Sequence, residues 1–547
     1  MALHLFEKRP EHPLAQRGEL ERVLAGLEQS KSQDALQEIQ HWLGTLRDFD
    51  GFACDERLSI VKQLDDAGRP LIAEAYVQFY ALAHVRDRNQ RKRAELLDLY
   101  WTNLSAAYAR CVSDDEAGGK GAKAMRAELP VALARSYRAA GLAAKTRCLI
   151  YRPADPPDWR ALYRPLAFAE IAHFADEAIH VYPREVHSTA RAELTKLLAF
   201  CLCAPHELPP EQVELAARIL DRFAISFAWS TAPSAQCTYA IDAVAGGRPR
   251  PLAAGEPLAA SARCFGGGPA LPKLADLERL SAANLLTDEM RFGGEFSPTQ
   301  IVTVIRHLLR YLGAKPPRRA AARVAVAGRA EIVHGFAPIC QRVTAIDIGA
   351  NAALQEDLKV AAAERTKKGL EMAAESIEST PELWQVADRS EWGIGCAIPA
   401  GGGAWAEPGV LCGLRERPQD PWSVAIVRRL DADSAGSARC GLQILSKRPV
   451  SVWLRVLGRQ GQEVSNWETS SGSFSYEYAR AIVLADAPKV DGRPVLVLEG
   501  GKFVPEQICE VVMGEHSRHL RLADFLEQGA DYLRAAFTWM IPGKTSA

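Results

Sequence analysis

Pro316-Pro317-Arg318-Arg319-Ala320-Ala321-Ala322-Arg323-Val324-Ala325-Val326-Ala327-Gly328-Arg329-Ala330-Glu331-Ile332-Val333 divides the chain into two kinds of sequence. Before it, apolar residues recur at helical spacing. The last such element opens at Ser297-Pro298-Thr299-Gln300, with a capping Ser, a Pro in the first turn and a Gln three residues after the cap. Ile301, Val304, Ile305, Leu308 and Leu312 then form one apolar face, and Gly313 with Pro316-Pro317 ends the helix. After Arg323 the period changes to that of strands. Runs at 324–333, 384–387, 393–398, 409–414, 422–430 and 439–445 lie between turn residues, and within them Trp422, Val424 and Ile426, or Cys440, Leu442 and Ile444, alternate onto one face. Six short strands are enough for a small barrel.

Working outward, residues 1–230 read as an α-helical region, a bundle or a solenoid with no repeat of fixed period. Leu36, Ile39, Leu43 and Leu46 share a face, as do Leu58, Val61 and Leu64. Asp66-Ala67-Gly68 reads as a stop, with a new helix from Pro70 towards His84. Residues 231–315 read as a linking subdomain that ends in the helix at Ser297; short strands at 239–244 and 259–265 lie between Gly- and Pro-rich breakers. Residues 316–447 carry the barrel, interrupted by a charged helical insertion at 354–379. Residues 448–547 form a further β-rich domain, with runs at 450–457, 476–484, 495–498 and 508–513, and 522–537 as a strand or a helix. The fold class is multidomain α+β.

A net charge of −1 over 547 residues excludes a nucleic-acid polymer as a partner held by bulk electrostatics, so any anion site must be local. No apolar run is long enough to span a membrane, and the opening residues become charged too early for a signal peptide. The expected location is the cytoplasm. Twelve scattered cysteines without a C-x-x-C spacing read as buried small hydrophobes in a reducing compartment.

The charge is not evenly spread. Arg306, Arg310, Lys315, Arg318, Arg319, Arg323 and Arg329 occur with no acid among them. Cations near the end of a helix stabilise its dipole by about 0.3–1 kcal/mol, which accounts for Arg306 and Arg310. It does not account for Arg318, Arg319 and Arg323, which lie beyond the prolines. Guanidinium groups are planar forks of donors that match phosphate oxygens and the O6/N7 edge of guanine. Further on, Asp388-Arg389-Ser390-Glu391-Trp392-Gly393 is a D-x-S-x-x-G turn. By itself it is a turn capped by Asp and Ser, with Gly supplying backbone freedom. Its carboxylate could also accept from the N–H groups on the other edge of guanine.

The R-x-x-x-R of Arg319 and Arg323, with the extra Arg318, followed by Asp388, Ser390 and Gly393 between strands, resembles the PilZ family over about residues 316–447. The resemblance implies a six-stranded β-barrel that binds the bacterial second messenger cyclic di-GMP through Arg318, Arg319, Arg323, Asp388, Ser390 and Gly393. It also implies a signalling receptor with no cofactor beyond that ligand and no catalysis. The expected mechanism is ordering: ligand neutralises the arginines, folds their segment onto the barrel about a hinge at Gly313 to Pro317, and passes the change to a protein partner through the helical region. One departure is the distance from Arg323 to Asp388, which the insertion lengthens beyond the family's usual spacing. The alternative is an interaction scaffold whose degenerate PilZ-like barrel does not bind nucleotide.

Two other patterns carry less. Ala345-Ile346-Asp347-Ile348-Gly349 looks like the phosphate-loop strand of actin-like ATPases but has no companion motif, and reads as a strand and turn. Glu170-x-x-His173 and Glu177-x-x-His180 on one helix, with His187 beyond, could hold a metal in a helical metalloenzyme; a half-solvated helix face is the plainer reading.

Overall fold

The computed structural model describes residues 11–81, 88–253, 255–294, 296–317, 322–345, 380–432, 438–457, 478–500, 504–513 and 516–540. The chain forms two compact units, Met1–Arg318 and Arg319–Ala547.

The first unit is built from helices that bury the faces their periodicity marks. Ala35, Leu36, Ile39, Leu43 and Leu46 of helix Ser32–Asp48 are all buried. The stop expected at Asp66-Ala67-Gly68 does not occur. Helix Cys54–Ala81 runs through it with Pro70 inside. Gly68 serves packing here: a Cβ at that position would meet the Tyr100 ring, with Cζ at 2.9 Å. Burial of Leu64, Ile72 and Phe79 on either side offsets the hydrogen bond that Pro70 cannot make.

Residues 228–266 add a small sheet of β1 (Ala228–Ser230), β2 (Tyr239–Asp242), β3 (Arg250–Pro251) and β4 (Ala262–Gly266), in the order β1-β4-β2-β3. Its Tyr239, Ile241 and Phe265 join the same apolar cluster as the helices, together with Ile301, Val304, Ile305, Leu308 and Leu312 of helix Pro298–Leu312. That helix starts with the capping box anticipated: Ser297 Oγ accepts from Gln300 N at 3.2 Å, and Gln300 Oε1 accepts from Ser297 N at 2.8 Å.

The second unit holds two closed six-stranded barrels. The first consists of β5 (Val324–His334), β7 (Glu382–Ser390), β8 (Gly393–Ile398), β9 (Leu411–Arg415), β10 (Ser423–Ala432) and β11 (Ala438–Ser446), closed in the order β10-β11-β8-β7-β5-β9. All six match the runs read from the sequence. Between β5 and β7 the chain makes a short helix, Phe336–Arg342, and a two-residue strand β6 (Thr344–Ala345). β6 lies parallel to β12 (Pro449–Val456) of the second barrel. The second barrel continues with β13 (Tyr478–Leu484), β14 (Val495–Glu499), β15 (Ile508–Met513), β16 (His516–Gln528) and β17 (Tyr532–Trp539), and pairing of β12 with both β13 and β15 closes it. Residues 522–537 are therefore the end of β16, a turn and most of β17, with no helix. The insertion at 354–379 and the Asp347-Ile348-Gly349 pattern lie outside the described residues.

One apolar cluster spans both barrels. Val333, Phe336, Ile339, Leu411, Trp422, Val424 and Ile426 of the first pack with Ile482, Leu484, Val495, Val497 and Tyr532 of the second. Arg428 grips Glu527 as a fork, with Nη2 to Oε2 at 2.8 Å. Phe336 N donates to Asp531 Oδ2 at 2.6 Å.

Two carboxylates, the buried Glu193 and the partly buried Glu214, tie the helical unit together. Glu193 accepts from Arg138 Nε and Nη2 at 3.0 and 2.8 Å and from Ser188 Oγ at 2.7 Å, beside Lys196 at 2.7 Å. Burial opposes its ionisation, but Lys196 and Arg138 outweigh burial and bring the carboxyl down to about 2. For Glu214, burial is likewise overcome by Lys145 and Arg218, again to about 2. Both groups sit below their ordinary value of 4.5, so folding favours their charged forms. Their contribution is complete above that ordinary value and is lost as pH falls through the folded one. The midpoint of urea unfolding, followed by far-ultraviolet circular dichroism, is predicted to fall from pH 4.5 towards pH 2. Glu193→Gln is predicted to flatten part of that decline and to cost less near neutrality than the about 3–5 kcal/mol of a fully orphaned buried charge, because Arg138 and Lys196 lose their buried partner but keep the more exposed Glu185 and Asp221.

Candidate functional site

The D-x-S-x-x-G residues occupy the β7–β8 hairpin. Ser390 opposite Gly393 is its closing pair, and Glu391-Trp392 form the turn. A Cβ on Gly393 would lie 2.9 Å from Ser390 Oγ and would push the serine hydroxyl from its place. Ser390 Oγ faces Gly393 O at 3.4 Å. The turn is held to the next strand, since Ile444 N donates to Trp392 O at 3.0 Å, and the Lys447 ammonium sits 4.8 Å above the Trp392 ring.

Two bulges aim the aspartate. Val386 pairs with Cys396 and Asp388 with Gly395, which leaves Ala387 as an extra residue in the β7–β8 ladder. On the other side Ala325 pairs with Asp388 and Gly328 with Val386, so Val326 and Ala327 together oppose Ala387. A bulge re-aims the side chains that flank it. Asp388 is turned over Gly395, where a Cβ would lie 2.7 Å from either carboxylate oxygen.

Arg323 immediately precedes β5. The register Val324 opposite Arg389 places it beside the hairpin, and its Nη1 donates to Asp388 Oδ1 at 2.6 Å. The two side chains are about one third exposed, 33% and 34%. The intervening Arg389 is held away by an ion pair with Glu416. Of the six residues singled out from the sequence, the structure brings together Arg323, Asp388, Ser390 and Gly393. Arg318 and Arg319 lie outside the described residues. The Arg323 guanidinium is neutralised by Asp388. Gly395 escaped the sequence reading, although Gly393-Ile394-Gly395 has the period of two that puts both glycines on one face of a strand.

The metal reading does not hold. Helix Trp159–Ile171 ends before His173, so the two E-x-x-H patterns do not share a helix. Glu170 is bound by Arg263, with Nε at 2.8 Å, and His180 and His187 pack ring to ring at 3.9 Å. Among the described residues no group of three or more His, Cys, Asp or Glu is placed to hold a metal ion. The twelve cysteines are buried, and none forms a disulfide. Among the described residues, no helix is long and apolar enough to cross a membrane.

Residues 18–233 match the family description of the N-terminal domain of the cyclic-di-GMP receptor FimW. The match falls on the helical unit and not on the barrel that carries Arg323 and Asp388. Comparison with curated proteins finds no match.

An ion pair this exposed contributes little to stability, about 0.2–1 kcal/mol. A double-mutant cycle of Arg323→Ala and Asp388→Ala, measured by chemical denaturation of the second unit's transition, is predicted to give a coupling in that range. A coupling of about 3 kcal/mol or more would mark a structural pair and leave nothing for a ligand.

Proposed function

We propose that this chain is a cyclic di-GMP receptor whose first barrel is a PilZ-like ligand module. The observation that carries the proposal is the meeting of Arg323 with Asp388. They come from two motifs 65 residues apart, converge on one patch of barrel surface beside Ser390 and Gly393, and are too exposed to serve stability. The family match on residues 18–233 supports the same ligand from a different part of the chain.

The chemistry follows from the groups. The Arg323 guanidinium donates to O6 and N7 of guanine or to a phosphate, and the Asp388 carboxylate accepts from the N–H groups of guanine. Each exchanges one partner for another, so no unpaired charge is created on binding. Arg318 and Arg319 add donors for the phosphates. Ligand then orders the segment from Gly313 to Arg323 against the barrel, and that ordering is the signal passed to a protein partner through the helical unit. The reading is non-enzymatic and places the protein in the bacterial cytoplasm. The mutual satisfaction of Arg323 and Asp388 favours one rival, a scaffold whose barrel holds its own charges together and binds no nucleotide.

Calorimetric titration of the full-length chain decides between them. Cyclic di-GMP is expected to bind far more tightly than cyclic di-AMP. Arg323→Ala is expected to lose at least about tenfold in affinity, as removal of a charge-assisted bond worth ~1.5–3 kcal/mol implies. Asp388→Ala is expected to erode the preference for guanine. Absence of binding would establish the scaffold reading, and equal binding of both dinucleotides would reduce the site to a phosphate contact.

Trypsin tests the ordering step. Cleavage after Arg318 and Arg319 is expected to slow with cyclic di-GMP present, and Arg323→Ala, which retains both sites, is expected to lose that protection. Binding without protection would retain the receptor and remove the ordering mechanism.

A further inference from the structure

The hairpin is one end of a longer row across the barrel. Asp388 on β7 lies opposite Gly395 on β8, Gly395 opposite Gly441 on β11, and Gly441 opposite Arg429 on β10. Residues directly opposite on neighbouring strands share a face of the sheet. The glycines confirm it: a Cβ on Gly395 would strike the Asp388 carboxylate, and a Cβ on Gly441 would lie 3.4 Å from Cβ of Arg429. The two central residues therefore carry no side chain of their own, and the Asp388 carboxylate covers Gly395. At its far end Arg429, about half exposed, is ion-paired with Asp431, as Arg323 is with Asp388 at the near end. Asp431 also lies opposite the exposed Arg439. The neighbouring Arg428 is committed elsewhere, to Gln443 and Glu527.

This face thus presents an Arg–Asp pair whose carboxylate covers the buried Gly395, then the part-exposed Gly441, and a second Arg–Asp pair. The ends are three strand spacings apart, roughly 14 Å along the sheet. A cyclic dinucleotide with two identical bases offers the same donors and acceptors twice. Each guanine has O6 and N7 for an arginine and N–H groups for a carboxylate. Resting on the nucleotide reading above, we propose that Arg429 and Asp431 are a second guanine-reading pair, and that the ligand lies across the part-exposed Gly441 between them and the Asp388 carboxylate that covers Gly395. The site then reads both bases, rather than one base and the phosphates.

A ligand with one guanine replaced separates these cases. Calorimetry on the full-length chain would compare cyclic di-GMP with cyclic GMP–AMP. The unaltered chain is expected to prefer cyclic di-GMP. Arg429→Ala is expected to weaken cyclic di-GMP by roughly tenfold or more, the loss of one charge-assisted contact, and to bring the two ligands close to equal affinity. Asp431→Asn, which keeps shape and removes charge, is expected to do the same to the preference. Arg417→Ala, an exposed arginine paired with Asp420, is expected to change neither. If the unaltered chain binds cyclic di-GMP while Arg429→Ala and Asp431→Asn keep its affinity and its preference, the second pair is refuted and the receptor reading stands. If the unaltered chain binds neither ligand, the receptor reading itself is refuted, and the second pair with it.

Discussion

The pairing of β5 with β7 is the constraint on which the second unit turns. After β5 the chain leaves the first barrel, runs through the helix Phe336–Arg342 and lays β6 along β12 of the second barrel. It returns to the first barrel as β7, hydrogen-bonded to the strand it left. This pairing belongs to the closed ring of the first barrel, and its register puts the residue before β5 beside the β7–β8 hairpin. Had the register slipped by one residue, every β7 side chain would have changed face. Trp384 would then leave the core, and Asp388 would turn away from the surface.

The surroundings hold that register firmly. Trp384 is fully buried, and its indole donates to Glu382 Oε2 at 2.9 Å. The same carboxylate accepts from Gly403 N at 2.7 Å and Trp405 Nε1 at 2.6 Å. On the other side the cluster shared with the second barrel packs β5, β9 and β10 against β13, β14 and β17. Apolar burial and satisfied polar groups thus make a rigid support, while the exposed Arg–Asp pairs contribute little to it. A binding site profits from that division: its own groups can exchange partners without loosening the barrel that positions them.

The sequence was legible where local rules decide. The capping box at Ser297, the six strand runs of the first barrel and the buried face at Leu36 to Leu46 follow from capping chemistry and hydrophobic period. It misled where long-range packing overrides those rules. Asp66-Ala67-Gly68-Arg69-Pro70 has the composition of a helix stop, yet Gly68 is required by Tyr100 and the helix continues. Glu170 and His173 have helical spacing, but the helix ends at Ile171 and Arg263 takes the carboxylate. Neither Tyr100 nor Arg263 is near in the chain, so no local pattern could reveal them.

By itself the sequence determined the order of elements and the identity of the candidate ligand-binding groups, because hydrophobic period, caps and turn residues act within a few positions of one another. The tertiary structure alone decided that Arg323 meets Asp388, that β6 joins the second barrel, and that the Gly395–Gly441 row ends at Arg429. These depend on bulges at Ala387 and at Val326-Ala327, and on strands far apart in the chain becoming neighbours. A bulge shifts a register by one residue at little local cost, and only the closed hydrogen-bonded ring determines where that shift falls.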